Sequence, residues 1–231
     1  MSRRRVITDI LILGAAAAAI CLGVKLFHDR RYNLISMMIA LLACVPFYYA
    51  YEKKEGSIRR MVILAVMTAV ATAGRFIFAM LPGFKPVTAI VVITGLYLGP
   101  ESGFLVGSLT AIISNMFFGQ GPWTPFQMMA WGLLGAIAGL PVIRQGLKRS
   151  RVLLLLYGAA AGFLYSAVMD IWSVLSMDGT FNLTRYGVAL LRAAPVTVEY
   201  MAANVVFLLL AAGPIGKKLE RIRIKHGIFD E

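Results

Sequence analysis

The sequence predicts an all-α protein, a polytopic membrane helix bundle without a soluble domain. Of its 231 residues, 59% are hydrophobic and only 15% are charged, and the mean hydropathy is +0.78. A soluble domain of this length cannot bury so much apolar surface in one core. Apolar stretches near the roughly 20 residues that cross a bilayer recur along the chain and indicate about eight transmembrane helices. The predicted spans are 6–27, 33–51, 61–81, 86–99, 102–118, 126–143, 152–176 and 193–213.

The predicted spans fall into three parts of the chain. A mixed-charge cluster at 52–60 separates two N-terminal transmembrane helices, residues 1–57, from the remainder. That remainder is a six-helix membrane core, residues 58–218, followed by a cytoplasmic tail, residues 219–231. The first span has an alternative explanation as a cleaved signal peptide, because arginines precede its apolar run. The run is longer than a signal peptide requires, which favours a transmembrane helix.

The fourth predicted span, 86–99, is short for an upright transmembrane helix. Pro86 begins it and Gly99-Pro100 ends it, and proline disfavours helical geometry in the residue before it. We therefore expect a tilted or partly re-entrant helix. The glycines around the Gly99-Pro100 turn let the flanking helices approach each other closely.

The net charge of +12 is a topology signal rather than a sign of nucleic-acid binding. Lysines and arginines lie in short runs between apolar segments, and such runs are enriched on the cytoplasmic side of membrane proteins. With an even number of spans, both termini lie on one side. Placing the termini in the cytoplasm puts most loop cations inside, and the 25–31 loop is the exception. The lipid bilayer is the expected environment, and no nucleic-acid partner is expected.

The chain offers no motif for a metal, a cofactor or ATP. Cys21 and Cys44 both fall within predicted spans and are best explained as buried thiols rather than a disulfide. His28 and His226 lie in separate basic loops, which is not a metal-ligand spacing. No GxxxxGK[ST] sequence occurs, so any ATP-driven activity requires another subunit.

The third predicted span carries a stripe of small residues. Ala65, Ala69 and Ala73 recur every four positions, which places them on one side of a helix. In lipid, helices associate through close backbone approach, and small side chains permit it. The stripe therefore predicts a docking surface, for either a partner protein or another helix of this chain.

Polar residues of several predicted spans lie at a similar depth. Arg75 lies about 14 residues into its span, or about 21 Å from the cytoplasmic side. Charges within a bilayer cost roughly 2.5 to 3.5 kcal/mol on insertion scales and usually face the bundle interior. We therefore predict an outward-facing solute pocket, apolar in bulk with a few placed polar groups. Its candidate residues are Arg75, Lys85, Asn115, Trp123, Gln127, Asp170, Glu199, Tyr200 and Asn204.

Structural explanations for these residues remain open. Arg75 could form a buried ion pair with Asp170 or Glu199. Trp123 and Tyr200 could belong to the aromatic belt that membrane proteins place at the lipid headgroups.

Three motifs together resemble the S components of energy-coupling factor (ECF) transporters. They are the alanine stripe, the run Leu-Pro-Gly-Phe-Lys-Pro-Val-Thr-Ala at 81–89, and Phe-Gly-Gln-Gly-Pro-Trp-Thr-Pro at 118–125. The resemblance covers residues 58–218. It implies a non-enzymatic binding subunit of a prokaryotic cell-membrane importer for a vitamin or related micronutrient. The Gly-Gln-Gly-Pro-Trp loop resembles cobalamin-type members.

The resemblance also implies partners and a role for the stripe. An S component captures its solute outside and docks on a membrane T component, which two ABC ATPases drive. On that pattern Ala65, Ala69 and Ala73 are the docking residues.

Two other classes of function are compatible with the sequence. A stand-alone secondary transporter or channel would use Arg75 and Asp170 as gating or relay groups, but no inverted repeat is evident. An integral membrane enzyme would use Asp170 and Glu199 as its carboxylates, but no catalytic motif at recognisable spacing supports it.

Overall fold

The computed structural model describes residues 58–226 together with Cys44, Val45 and Tyr48. The predicted N-terminal helices and the loop between them otherwise lie outside the described residues, and so do Cys21 and His28. Between 58 and 226 all of the regular secondary structure is helical, which confirms the all-α membrane bundle. Its helices are α1 Ile58–Ile77, α2 Val87–Leu98, α3 Pro100–Phe118, α4 Thr124–Gly139, α5 Pro141–Arg149, α6 Arg151–Asp178 and α7 Leu183–His226.

The described residues do not support eight transmembrane helices. Four helices are long and apolar enough to cross a membrane, namely α1, α3, α6 and α7. A fifth span results if α4 and α5 are counted together, although they are bent by 75°. The α2 helix, as expected from its prolines and glycine, has only 12 residues.

The sixth predicted span, 126–143, is wrong as a single helix. The α4 helix ends at Gly139, and Leu140 adopts an extended conformation with φ −58° and ψ 133°. Pro141 explains the break, because its ring disfavours helical geometry in the preceding residue and it has no N–H to donate. The last predicted span, 193–213, is too short, since α7 continues through Pro195 and Pro214 to His226.

The short α2 helix lies at the centre of the bundle, packed by α1, α3, α4, α6 and α7. Val91, Val92 and Ile93 have no exposed surface. Gly99 joins α2 to α3 with φ 98°, a conformation that only glycine adopts readily. At Gly103 an added Cβ would lie 2.5 Å from the carbonyl oxygen of Gly135. The backbones of α3 and α4 therefore touch, as the glycine spacing predicts.

The long helices α6 and α7 form a second closely packed pair. Asn204 Nδ2 donates to the carbonyl oxygen of Gly158 at 3.0 Å, and the hydroxyls of Ser166 and Thr197 lie 2.7 Å apart. At Gly162 an added Cβ would lie 2.6 Å from the backbone nitrogen of Met201. These contacts hold α6 against α7 and fix which face of α6 points to α4.

Candidate functional site

Arg75 lies in the last turn of α1 and points into the bundle. Its Nη1 donates to Ser114 Oγ and, at 2.7 Å, to Asn115 Oδ1. The guanidinium carbon lies 4.7 Å from the centre of the Phe118 ring and 5.3 Å from that of Trp131. Neutral oxygens and ring faces thus stabilise the cation. Among the described residues Arg75 forms no ion pair with Asp170 or Glu199, so that alternative is not realised.

The hydrogen bonds of Arg75 continue through buried amides. Asn115 Nδ2 donates to Thr124 Oγ1 at 3.0 Å and to Gln127 Oε1 at 2.7 Å. Gln127 Nε2 in turn donates to the Tyr165 hydroxyl at 3.3 Å. Buried polar groups are tolerated when they bond one another in this way. We call this set of α1, α3, α4 and α6 residues the Arg75 network: Arg75, Ser114, Asn115, Thr124, Gln127 and Tyr165.

An aromatic wall borders the Arg75 network. The rings of Trp131 and Tyr165 stack with centroids 5.1 Å apart and an interplanar angle of 9°. Tyr200 of α7 meets Tyr165 edge-on, also at 5.1 Å. The predicted residue Tyr200 therefore reaches the network through Tyr165. We call these three rings, Trp131, Tyr165 and Tyr200, the aromatic wall; Trp131 and Tyr165 are buried and lie beside amide and guanidinium donors.

Lys85 and Glu199 fasten the loop between α1 and α2. Lys85 Nζ donates to the carbonyl oxygens of Leu81 and Pro82, and Glu199 Oε2 accepts from the Gly83 N–H at 2.9 Å. Partial burial lowers the pKa of Lys85; the charge of Arg75 lowers it further, and Glu199 opposes both. The loop is thereby held against α7, within electrostatic reach of Arg75.

The loop before α4 is ordered by its own residues. Gln120 bridges to α3 by donating to the Ile112 carbonyl oxygen at 2.8 Å, and its Oε1 accepts from Thr124 Oγ1 at 2.9 Å. The half-buried Trp123 lies with its indole over Gly121, where any Cβ would overlap the ring. Its carbonyl oxygen accepts from the Gln127 N–H, so Trp123 orients the start of α4.

Asp170 and Asn204 differ in how they are partnered. Asp170 is 8% exposed, and its Oδ2 has no hydrogen-bond partner among the described residues. It lies close enough to Tyr186 and Tyr200 to interact with them electrostatically. An unpartnered buried carboxylate oxygen requires an explanation. Asn204, by contrast, uses its amide to join α6 and α7, which is a structural role.

The structure adds four residues that the sequence reasoning missed. Ser114 precedes Asn115, while Thr124 and Trp131 lie three residues before and four residues after Gln127. Helical spacing puts Thr124, Gln127 and Trp131 on one face, so a search outward from Gln127 could have found them. Tyr165 carried no comparable signal, because its neighbours along α6 are mostly apolar.

The alanine stripe lies on the outside of α1. Ala65, Ala69 and Ala73 are all exposed, whereas the opposite face of the helix is buried. Within the described residues the stripe therefore does not serve intrachain helix packing. It remains available to another surface.

The helix bundle, its apolar surface and its buried polar network are those of a multi-pass membrane protein. Residues 55–221 match the family model of the ECF-type riboflavin transporter S component. Because the match covers well over half of the chain, the protein belongs to this family. No curated protein and no solved structure matches the chain at a significant level.

Membership of the family establishes the kind of activity. The protein is the substrate-binding subunit of a transporter and not an enzyme. Its partners are of the kind that S components use, a T component and ATPases. The family match does not support the cobalamin-type assignment that the Gly-Gln-Gly-Pro-Trp loop suggested, because the matching family is of the riboflavin type.

Proposed function

We propose that this protein captures riboflavin, or a flavin with the same ring system, for an ECF importer of a prokaryotic cell membrane. The observation that carries the proposal is the meeting of the Arg75 network with the aromatic wall. A flavin has a flat tricyclic ring that carries carbonyl oxygens and ring nitrogens at one end. Its flat faces suit the wall, and its polar edge suits guanidinium and amide groups.

The polar edge of the flavin would exchange hydrogen bonds with the Arg75 network. Arg75 donates to two neutral oxygens, Ser114 Oγ and Asn115 Oδ1, and a flavin carbonyl oxygen is an acceptor of the same kind. The Asn115 and Gln127 amides each carry a donor and an acceptor, so they can match an alternating edge. The Arg75 guanidinium is already stabilised by neutral oxygens and ring faces, so it needs no carboxylate from the ligand. This favours a neutral solute over an anionic one.

The flavin side chain supplies a reason for the unpartnered oxygen of Asp170. Riboflavin carries a polyhydroxyl chain, and a hydroxyl donates well to a carboxylate oxygen. Asp170 Oδ2 is buried and has no hydrogen-bond partner among the described residues, and Asp170 lies near Tyr200 at the edge of the wall. In this proposal the ring contacts the wall while one hydroxyl of the side chain donates to Asp170. Lys85 and Glu199 keep the loop that follows α1 over the site. Trp123 orients the start of α4, and Asn204 joins α6 to α7, so both support the site without contacting the ligand.

The transport cycle would use the opposite face of α1. Ala65, Ala69 and Ala73 are exposed and small, so they allow close backbone approach by a T component driven by two ABC ATPases. The end of the bundle that carries Arg75 would then face the outside, with both termini cytoplasmic. One helix would thus connect the binding site to the docking surface.

Flavin fluorescence tests the proposal directly. The purified protein should quench riboflavin fluorescence on titration, because stacking on Trp131 and Tyr165 brings the ring against electron-rich side chains. Thiamine, biotin and cobalamin serve as competitors that should not restore the fluorescence. If riboflavin is not quenched while another vitamin raises the unfolding temperature of the protein, the flavin assignment is wrong and the family activity stands.

A further inference from the structure

A cavity lies at the end of the bundle remote from Arg75. It has a volume of about 150 Å³, several times the roughly 30 Å³ that one water takes up in the liquid. Its walls come from α2, α5, α6 and α7 and are largely leucine. The principal lining residues are Leu96, Leu154, Leu208, Leu209, Lys148 and Arg151. Leu209 is 47% exposed, so the apolar wall reaches the outer surface of the bundle.

Cations surround this cavity. Lys148 Nζ lies 4.4 Å from the centre of the Tyr97 ring and 3.4 Å from Glu220 Oε1. Arg144 and Arg223 are near enough to act on Lys148 electrostatically. Arg151 also lines the cavity and forms no hydrogen bond or ion pair with any described residue. Lys148 and Arg151 therefore place two cationic side chains in the lining of the cavity, and Glu220 contacts the first of them.

The position along the membrane normal restricts what the site can bind. Arg151 is the first residue of α6, one of the membrane-spanning helices, so it lies where the span begins, at headgroup depth. The leucines continue from it toward the hydrocarbon. A positive rim at headgroup depth above an apolar slot matches a phosphodiester headgroup with an acyl chain attached.

We propose that the cavity is a binding site for one anionic phospholipid. Lys148 and Arg151 contact the phosphate, and the first acyl segment lies along Leu155, Leu208 and Leu209. A lipid in this place fills the gap between the α5–α6 turn and α7. The site is independent of the flavin site, so either assignment can fail alone.

Native mass spectrometry of the full chain in mild detergent tests this proposal. The protein is incubated with phosphatidylglycerol or with phosphatidylcholine of identical acyl chains. We expect phosphatidylglycerol to be retained preferentially. Lys148→Gln/Arg151→Gln should weaken that retention by about 30-fold, since each headgroup-level cation contributes about 5-fold in affinity. The matched control is Arg149→Gln/Lys217→Gln, which removes two exposed cations at the same end that do not line the cavity.

Four results would overturn the lipid site. Equal retention of the two lipids would exclude headgroup recognition, and an equal loss in both double variants would indicate diffuse surface attraction. Displacement of the lipid by inorganic phosphate alone would indicate a phosphate site instead. If the Lys148 change disturbs folding, Arg151→Gln by itself decides the matter, because Arg151 makes no described interaction that folding needs; an unchanged preference there also rejects the site.

Discussion

The two ends of the bundle surround a cationic side chain with different kinds of groups. Arg75 is held by neutral oxygens and two ring faces inside a complete hydrogen-bond network. Lys148 sits beside a carboxylate, at the edge of an open cavity, among other cations. The first arrangement fixes side-chain directions, which suits selective recognition of a small solute. The second supplies positive charge with little directional demand, which suits attraction of an anionic group.

The largest effect is expected from a substitution at the Arg75 end of the bundle. Arg75→Ala removes two charge-assisted hydrogen bonds and leaves buried partners unsatisfied, so riboflavin affinity should fall by about 100-fold or more. Fluorescence titration measures the change. Arg149→Ala at the other end is the matched control and should bind normally. Similar losses in the two variants would show that overall charge, and not the Arg75 network, governs binding.

The next test separates solute capture from docking on α1. Ala69→Trp should reduce uptake in cells that contain the T component and ATPases by at least about 10-fold, because the bulky ring prevents close helix approach. Riboflavin binding by the purified protein should be unchanged. Ala160→Trp, at an exposed alanine of α6, controls for bulk on the membrane-facing surface. Normal uptake by Ala69→Trp would remove the stripe from the docking surface.

A smaller effect is expected at Asp170. Asp170→Asn keeps the shape of the side chain but weakens the acceptor, so affinity for riboflavin should fall by about 10-fold. The unfolding temperature should hold or rise, because an unpartnered buried carboxylate is removed. Lumiflavin has the ring but not the hydroxyl chain, and its affinity should not respond to the change. A drop for lumiflavin equal to that for riboflavin would refute the hydroxyl contact.

The smallest effect is expected in the contact between α6 and α7, the helix pair that extends to both ends of the bundle. Asn204→Ala deletes the hydrogen bond to Gly158, and we expect a loss of about 1 kcal/mol in stability. Thermal unfolding measures it. Riboflavin affinity should stay within about 2-fold. A large affinity loss without a stability change would place Asn204 in the binding site itself.

Part of the candidate site was predictable from depth alone. Arg75, Asn115 and Gln127 come from separate spans, yet counting residues along each helix placed them at one level, and they do meet. Depth does not determine which way a side chain points around its helix. For that reason Asn204, which lies at a comparable depth in the membrane, joins α6 to α7 instead. Lys85 likewise donates to carbonyl oxygens of its own loop.

The sequence by itself determined the bundle, because its apolar content requires a bilayer whatever contacts the helices make. It also determined the break at Leu140, which Pro141 imposes locally, although the length of the apolar stretch predicted one helix. Only the tertiary structure decided the partners of Arg75. Trp131 and Tyr165 lie far from Arg75 along the chain, and their approach depends on the rotation of α4 and α6. Glycine contacts and interhelical hydrogen bonds set that rotation, and these act between helices that no local pattern relates.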